Sequence, residues 1–302
     1  MAALILNQII TMFIILVIGV IGFKTKLITK DGSKVLSNLL LMVVNPINIA
    51  LSFQREYQPE LLINLLTVLI LALFSYVVII ILGTLLIPKK EKEYAIERFS
   101  IVFANCGYFG IPLINSIYGQ EGVFYLAAYL MAFNLCVWSY GISLFKGENK
   151  ISLKELGKNM CNLNISAVFL GFLLFVFGVS LPAQLYNGLN YVAQMNTALS
   201  MLVAGATLAQ SDLKNIFCVK RTYLITFLRL IAVPVFIFLL LKPFPISDMV
   251  RTILVISSAC PAATTGLMFA LRFDKNAEYV SSIYIMSTLF SLVTIPIIAL
   301  LL

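Results

Sequence analysis

Long apolar runs are the feature that most constrains this chain, because a helix needs ~20 apolar residues to cross a bilayer. Ten runs of about this length follow one another through the 302 residues, with short polar segments between them. Hydrophobic residues make up 61% of the chain and charged residues 11%, a balance that excludes an ordinary soluble domain. The pattern predicts an all-α integral membrane protein with ten transmembrane helices.

The predicted spans divide into two sets of five. The first set is 4–23, 35–53, 61–87, 95–118 and 122–145, and the second set is 163–181, 191–209, 223–241, 251–271 and 280–302. Because five is an odd number, the second set must enter the membrane in the opposite orientation. We therefore expect residues 1–150 and 151–302 to form a 5+5 inverted repeat, joined by a basic loop from Lys146 to Lys158.

The placement of positive charge supports this division. Seventeen of the 21 Lys and Arg residues, Arg98 among them, fall in loops that follow odd-numbered spans. Arg55, Lys242 and Arg251 are the three on the other side. The positive-inside rule then predicts cytoplasmic odd loops, with both termini extracellular, in a multi-pass protein of the plasma membrane. The net charge of +8 reflects this topology, so the lipid bilayer is an expected partner and nucleic acid is not.

Two predicted spans contain residues that a regular helix does not tolerate. Residues 103–112 read FANCGYFGIP and residues 257–266 read SSACPAATTG, with Gly, Asn and Pro inside apolar surroundings. Pro261 is residue 111 of its half, close to the place of Pro112 in the first half. Lipid cannot satisfy freed backbone groups. Two broken helices at matching places therefore predict a transporter's binding site near the bilayer midplane.

Several of these features together form a known pattern. They are ten spans, the sequence VVNP with Asn45 and Pro46 in span two, a second break at Pro261, and the motif Asn-x-Gly-x-x-Gly-x-Pro at Asn105, Gly107, Gly110 and Pro112. Over the whole chain the pattern resembles the auxin efflux carrier family, which belongs to the bile acid:sodium symporter-like superfamily. The long cytoplasmic loop of the plant carriers is absent, so the chain resembles the short bacterial type.

The resemblance implies a fold and an activity. Spans 1, 2, 6 and 7 are expected to form a scaffold, and spans 3–5 and 8–10 a transport domain in which the broken spans four and nine cross. The implied function is elevator-type transport of small organic anions, such as malate, malonate or auxin-like acids, by a homodimer paired through the scaffold. The alternative is a Na⁺-coupled symporter of a larger organic anion, as in the bile acid symporters.

The residues expected to line the substrate site lie at the two breaks and at the bend in span two. They are Asn45, Pro46, Asn105, Cys106, Gly107, Gly110, Pro112, Cys260, Pro261, Thr264 and Thr265. Each break creates a half-helix N-terminus that favours a carboxylate. Structural roles stay open for these residues. The amide of Asn105 could cap the broken backbone, the glycines could serve geometry alone, and the hydroxyls, including Ser257 and Ser258, could bond their own helix.

Arg229 is the remaining basic residue and lies well inside span eight, so it is a candidate for the same site. Three roles are open to it. It could pair with a substrate carboxylate, satisfy carbonyls freed near Pro234, or extend toward the cytoplasmic face near Arg221.

Several residue types are missing from the spans. The chain has no His, and its Asp and Glu residues fall in or beside loops. We therefore expect no proton relay, and the mechanisms that remain are voltage-driven anion movement, exchange and Na⁺ coupling. Its five cysteines show no metal-type spacing, so no metal site or cofactor is expected apart from Na⁺ as a coupling ion. An intramembrane enzyme would need a nucleophile with a base or a pair of carboxylates, and the predicted spans supply neither, so we do not expect an enzyme. A ten-span channel or receptor is a further alternative, but it does not require two broken helices.

Overall fold

The computed structural model describes residues 2–147, 163–210, 216–217 and 219–302. In these ranges the chain is helical and contains one isolated β-bridge but no strand. Seven of the described helices are long and apolar enough to cross a membrane. The predicted all-helical membrane protein is confirmed at this level. The basic loop that was expected to join the two halves lies, after Gly147, outside the described residues.

The helices follow the predicted spans in order. In the first half they are α1 (Ala2–Lys24), α2 (Lys30–Leu39), α3 (Asn45–Ser52), α4 (Pro59–Leu86), α5 (Tyr94–Val102), α6 (Ile111–Cys136) and α7 (Ile142–Lys146). In the second half they are α8 (Leu163–Val176), α9 (Ala183–Ala209), α10 (Lys220–Phe227), α11 (Val233–Leu241), α12 (Asp248–Ala259), α13 (Thr265–Arg272) and α14 (Ala277–Ala299). Short π-helical turns lie at Leu40–Val44, Cys106–Gly110, Val137–Gly141 and Leu228–Ala232.

Three of the four π-helical turns, those at Leu40–Val44, Cys106–Gly110 and Leu228–Ala232, directly precede a helix whose second residue is proline. Pro46 is the second residue of α3 and Pro234 is the second residue of α11. Proline lacks an N–H and its ring clashes with the preceding turn, so the helix ahead of it widens to i→i+5 bonding. The chain thus passes from α2 into α3, and from α10 into α11, without leaving the helix.

A glycine separates the fourth and fifth predicted spans. The apolar helical stretch Cys106–Lys146 runs for 41 residues, but Gly119 within it has φ 59° and ψ −151°. L-residues with a side chain avoid this conformation, whereas glycine adopts it freely. The stretch therefore consists of two helical segments that meet at Gly119.

Three predicted boundaries differ from the structure by five residues or more, and the first is the start of α2 at Lys30 rather than at 35. Helix α8 ends at Val176 rather than at 181, and α9 begins at Ala183, eight residues before the predicted start at 191. Gly178 has φ 63°, a left-handed conformation that commonly follows a helix C-terminus, and Pro182 precedes α9. Hydropathy extended span six through this apolar turn and missed the more polar first turns of α9.

The chain divides into two compact units. Unit 1 comprises Met1–Val68, Gly107–Ala128 and Cys161–Ser211, and unit 2 comprises Leu69–Cys106, Tyr129–Met160 and Asp212–Leu302. Within unit 1, α1 packs along α9 at two glycines. A Cβ at Gly19 would overlap the carbonyl of Leu202, and a Cβ at Gly205 would overlap the carbonyl of Leu16. The two backbones come this close only because neither glycine has a side chain.

Aromatic packing supports the broken helices inside unit 2. The ring of Phe99 in α5 lies 4.7 Å from that of Phe103 and 5.7 Å from that of Phe269 in α13. Phe145 of α7 contacts both Phe99 and Phe269, at 5.4 and 5.7 Å between ring centroids. These side chains are fully buried, so they fix one end of each break against a common core.

Candidate functional site at the paired helix breaks

Both breaks that the sequence predicts are present, and each is shorter than the predicted stretch. Helix α5 ends at Val102, residues 103–105 are not helical, and the chain re-enters a helix through the π-helical turn at Cys106–Gly110. Helix α12 ends at Ala259 and α13 begins at Thr265, so residues 260–264 form the second break. Phe103 and Cys260, the residues that follow α5 and α12, both have extended backbone conformations.

The two breaks pair with each other in antiparallel fashion within unit 2. The backbone N–H of Asn105 donates to the carbonyl of Pro261 at 2.7 Å, and the N–H of Ala263 donates to the carbonyl of Phe103 at 3.0 Å. These bonds satisfy backbone groups that neither helix can satisfy at its own break.

A serine supports the second break from a neighbouring helix. Ser287 of α14 accepts a hydrogen bond from the backbone N–H of Ala262 at 3.0 Å and donates to the carbonyl of Tyr284 at 2.9 Å. Ser287 is fully buried. Sequence reasoning missed this residue because a serine inside a long apolar helix carries no local signal of a partner 25 residues away.

Three polar atoms near the breaks are buried without a hydrogen-bond partner among the described residues. They are Nδ2 of Asn105, Oγ of Ser257 and Oγ1 of Thr265. Asn105 is only 5% exposed. Buried polar groups in native proteins are nearly always paired, so these three atoms are available to bond a ligand or water. An amide donor and two hydroxyls can all donate to a carboxylate oxygen.

Other predicted site residues at the breaks contribute backbone or pack in the core. Cys106 Sγ donates to the carbonyl of Ser257 at 3.4 Å, and Cys260 Sγ donates to the carbonyl of Ile256 at 3.5 Å. Pro261 offers its carbonyl to Asn105, as described above. Thr264 precedes α13 and its side chain makes no capping hydrogen bond.

Arg229 is buried at the C-terminal ends of the helices that lead into the breaks, with 1% of its surface exposed. Its guanidinium donates to carbonyls of both chain segments, and the partners are Ile101, Val102, Ser258 and Cys260. Of the three roles considered from the sequence, this geometry matches the capping of freed carbonyls. Those carbonyls belong to the two breaks, however, and not to the kink at Pro234.

The remaining predicted residues belong to unit 1. The side-chain amide of Asn196 in α9 donates to Oδ1 of Asn45, and both side chains are buried. A Cβ at Gly107 would lie 3.7 Å from Nδ2 of Asn45, so this glycine leaves room beside the amide. Gly110 ends the π-helical turn and Pro112 is the second residue of α6. Asn196 was not a predicted site residue.

A charge cluster in unit 2 corrects the assignment of Arg98 to a loop. Glu97, in the first turn of α5, is 3% exposed and accepts from Nε and Nη2 of Arg221, both at 2.9 Å, and from the hydroxyl of Tyr279 at 3.0 Å. Arg98 is also buried, and its Nε donates to the carbonyl of Ile87 at 2.8 Å. These partners allow both charges to lie inside the protein, which a hydropathy window cannot foresee.

Comparison with known proteins places nearly the whole chain among transporters. A family model described as membrane transport protein matches residues 4–299. The uncharacterized transporter YfdV of Escherichia coli (strain K12) is 21% identical over 96% of this chain and 95% of its own length. An uncharacterized transporter of Methanothermobacter thermautotrophicus is 22% identical over 95% of this chain and 95% of its own length. The similarity thus includes both breaks.

Proposed function

This chain belongs to the membrane transport protein family, the family of the auxin efflux carriers that its sequence resembles, and from that premise we propose that it carries small organic anions across the plasma membrane. The family is one of transporters and not of enzymes. The observation that carries the proposal is the buried Nδ2 of Asn105, which has no partner among the described residues and lies at the pairing of two broken helices. Such breaks are typical of transporter binding sites.

The chemistry of the breaks suits a carboxylate. The N-terminus of α13 begins at Thr265, directly after the second break, and carries a partial positive charge. The unpartnered atoms of Asn105, Ser257 and Thr265 add three donors. Charge-assisted hydrogen bonds contribute about 1.5 to 3 kcal/mol each, so three of them cover the roughly 4 to 8 kcal/mol of millimolar to micromolar binding. A cluster of free cationic side chains is not needed.

We further propose that the chain crosses the membrane ten times as an inverted repeat. The antiparallel pairing of the breaks is the relation that two inverted halves would produce. Asn45 and Asn196, residues 45 and 46 of their halves, likewise bond each other. The turn at Gly119 and the two broken helices supply the crossings that length alone does not identify. By the positive-inside rule both termini are extracellular.

The proposed mechanism is elevator-type alternating access. Unit 1 contains α1–α3, α8 and α9, which correspond to the expected scaffold, and we assign the homodimer contact to it. Unit 2 contains both breaks and is assigned the moving part. The segment Gly107–Ala128 groups with unit 1, although the family pattern implies that it moves with the transport domain.

Flux in proteoliposomes tests the proposal. Purified protein is reconstituted, and electrogenic uptake of malate, malonate, oxalate, lactate and indole acetate is measured beside protein-free liposomes. We expect saturable current with one class of acid, and accelerated uptake when the same acid is loaded inside. Non-saturating current without counterflow would favour a channel. Absence of flux for every acid, with protein that melts cooperatively, would contradict the carboxylate assignment.

A further inference from the structure

The guanidinium of Arg229 bonds the ends of both helices that lead into the breaks. Its Nη1 donates to the carbonyls of Ile101 at 2.8 Å and Val102 at 3.3 Å, at the C-terminus of α5. Its Nε donates to the carbonyl of Cys260 at 3.1 Å and its Nη2 to that of Ser258, at the C-terminus of α12. All these groups belong to unit 2. One cation therefore caps two helix ends.

The surroundings of this charge are carbonyl dipoles. Among the described residues the ion pairs involve Arg221 with Glu91 and Glu97, and none involves Arg229. Each helix C-terminus carries a partial negative charge of roughly half an electron, so two such ends compensate one buried cation. Among the described residues, the charge of Arg229 is thus balanced by backbone carbonyls.

In transporters with broken helices, unwound carbonyls and half-helix C-terminal ends are groups that coordinate Na⁺. Here the guanidinium takes those carbonyls as its acceptors. We propose that Arg229 is a built-in cation that substitutes for a coupling Na⁺ at the paired breaks, so that this carrier needs no sodium. The part of the inference that concerns transport rests on the proposed function, whereas the ion site itself does not.

An arginine suits this role better than a dissociable ion. It presents five N–H donors in a planar fork and is attached to the chain. A bound Na⁺ leaves when its gradient falls, and the breaks would then lose their cap. A covalently attached cation keeps the two helix ends together whatever the ion content of either compartment.

Thermal unfolding of purified protein in NaCl, KCl, choline chloride and guanidinium chloride at equal low ionic strength tests the ion site. The wild type is expected to melt at the same temperature in NaCl, KCl and choline chloride. Arg229→Ala is expected to melt at a lower temperature than the wild type in choline chloride. Added guanidinium should raise the melting temperature of this variant saturably by about 5 °C, and Na⁺ should raise it by less. Wild-type protein stabilised specifically by Na⁺, or a variant that melts equally in all four salts, would overturn the proposal.

Two more variants keep the test decisive. Arg229→Lys keeps the charge with fewer donors, so it should melt at a lower temperature than the wild type, and Na⁺ should not change that temperature. A Na⁺-specific rise in the melting temperature of this variant would overturn the proposal even if Arg229→Ala fails to fold. Arg251→Ala removes a half-buried guanidinium of α12 that donates to one carbonyl, that of Phe244. This control should show no saturable rescue by guanidinium, and rescue there would mean that the effect is not specific to the breaks.

The flux assay separates this inference from the proposed function. Saturable flux of an acid in Na⁺-free medium supports both. Flux that requires Na⁺ would overturn the role of Arg229 as a substitute cation but would not contradict the proposed transport function. Loss of all flux would contradict the carrier, while the salt dependence of melting would still decide the ion site.

Discussion

Two places in the molecule bring backbones into close contact, and they do so by opposite means. In unit 1, α1 and α9 approach at Gly19 and Gly205 with both helices continuous. In unit 2, two helices are interrupted and their breaks pair through Asn105 and Pro261. The first contact leaves the hydrogen bonds of the helices intact, whereas the second exposes backbone and side-chain groups that need partners.

The difference separates packing from recognition. Glycine contacts between unbroken helices are a way to build rigid apolar interfaces in a membrane. Broken helices are costly in lipid and are tolerated where protein, water or a ligand satisfies them. The α1–α9 contact therefore suits a fixed framework, and the paired breaks suit a binding site. Substitutions of similar size at the α1–α9 contact and at the paired breaks should therefore have different effects.

The largest expected effect is at the glycine contact. In Gly205→Ala the new Cβ meets the backbone of Leu16, which cannot rotate away, so the free energy of unfolding should fall by about 3 kcal/mol. Gly188→Ala is the matched control, because Gly188 lies in the same helix and no described residue comes within 4 Å of its missing Cβ. It should raise the free energy of unfolding by about 0.5 to 1 kcal/mol. Thermal unfolding in detergent measures both, and equal melting temperatures would refute the close contact.

The second effect concerns the support of the second break. Ser287→Ala leaves the N–H of Ala262 buried without its acceptor, which should lower the free energy of unfolding by about 2 kcal/mol. Ser291→Ala, one turn later in α14, removes a hydroxyl that bonds the carbonyl of Thr288 in its own helix. That control should cost about 0.5 kcal/mol or less. Similar losses in the two variants would show that the bond from Ser287 does not stabilise the break.

A smaller effect is expected for the amide pair of unit 1. Asn45 and Asn196 hydrogen-bond each other in a buried setting, so a double-mutant cycle with alanine should give a coupling free energy of about 1 kcal/mol. The measurement is thermal or denaturant unfolding of the wild type, the two single variants and the double variant. Additive losses would mean that the two amides do not stabilise each other.

The smallest effect on stability is expected at the proposed binding amide. Because Nδ2 of Asn105 has no partner among the described residues, Asn105→Ala should change the free energy of unfolding by less than about 0.5 kcal/mol in the absence of substrate. If the side chain instead caps the broken backbone, its removal should cost about 1 kcal/mol. Unfolding of this variant beside Asn187→Ala, an exposed amide of α9, distinguishes the two roles.

Local sequence signals predicted the elements that local chemistry controls. Apolar runs identified the membrane helices, and Asn105 and Pro261 identified the breaks because residues that disfavour a regular helix cluster around them. The breaks were predicted too long, since Cys106–Gly110 forms a π-helical turn and residues 257–259 stay in α12. The local sequence pattern does not distinguish a helix that widens into a π-helical turn from a helix that ends.

The missed features depend on contacts between distant parts of the chain. Arg229 bonds the carbonyl of Ile101, 128 residues away in the sequence. Glu97 accepts from Arg221 at a sequence separation of 124 residues. Ser287 acquires its role only when α14 packs beside the second break. A buried charge or hydroxyl is recognisable in sequence as unusual for a membrane helix, but its partner is set by tertiary packing.

The most direct test of the proposed site is flux through Asn105→Ala. Liposomes containing the wild type, Asn105→Ala or Asn187→Ala are compared for uptake of whichever acid gives saturable current with the wild type. Loss of one buried charge-assisted hydrogen bond should raise the half-saturation concentration or lower the rate by roughly 10- to 100-fold, while Asn187→Ala transports normally. Unchanged uptake by Asn105→Ala, in protein of unchanged melting temperature, would contradict a substrate site at the paired breaks.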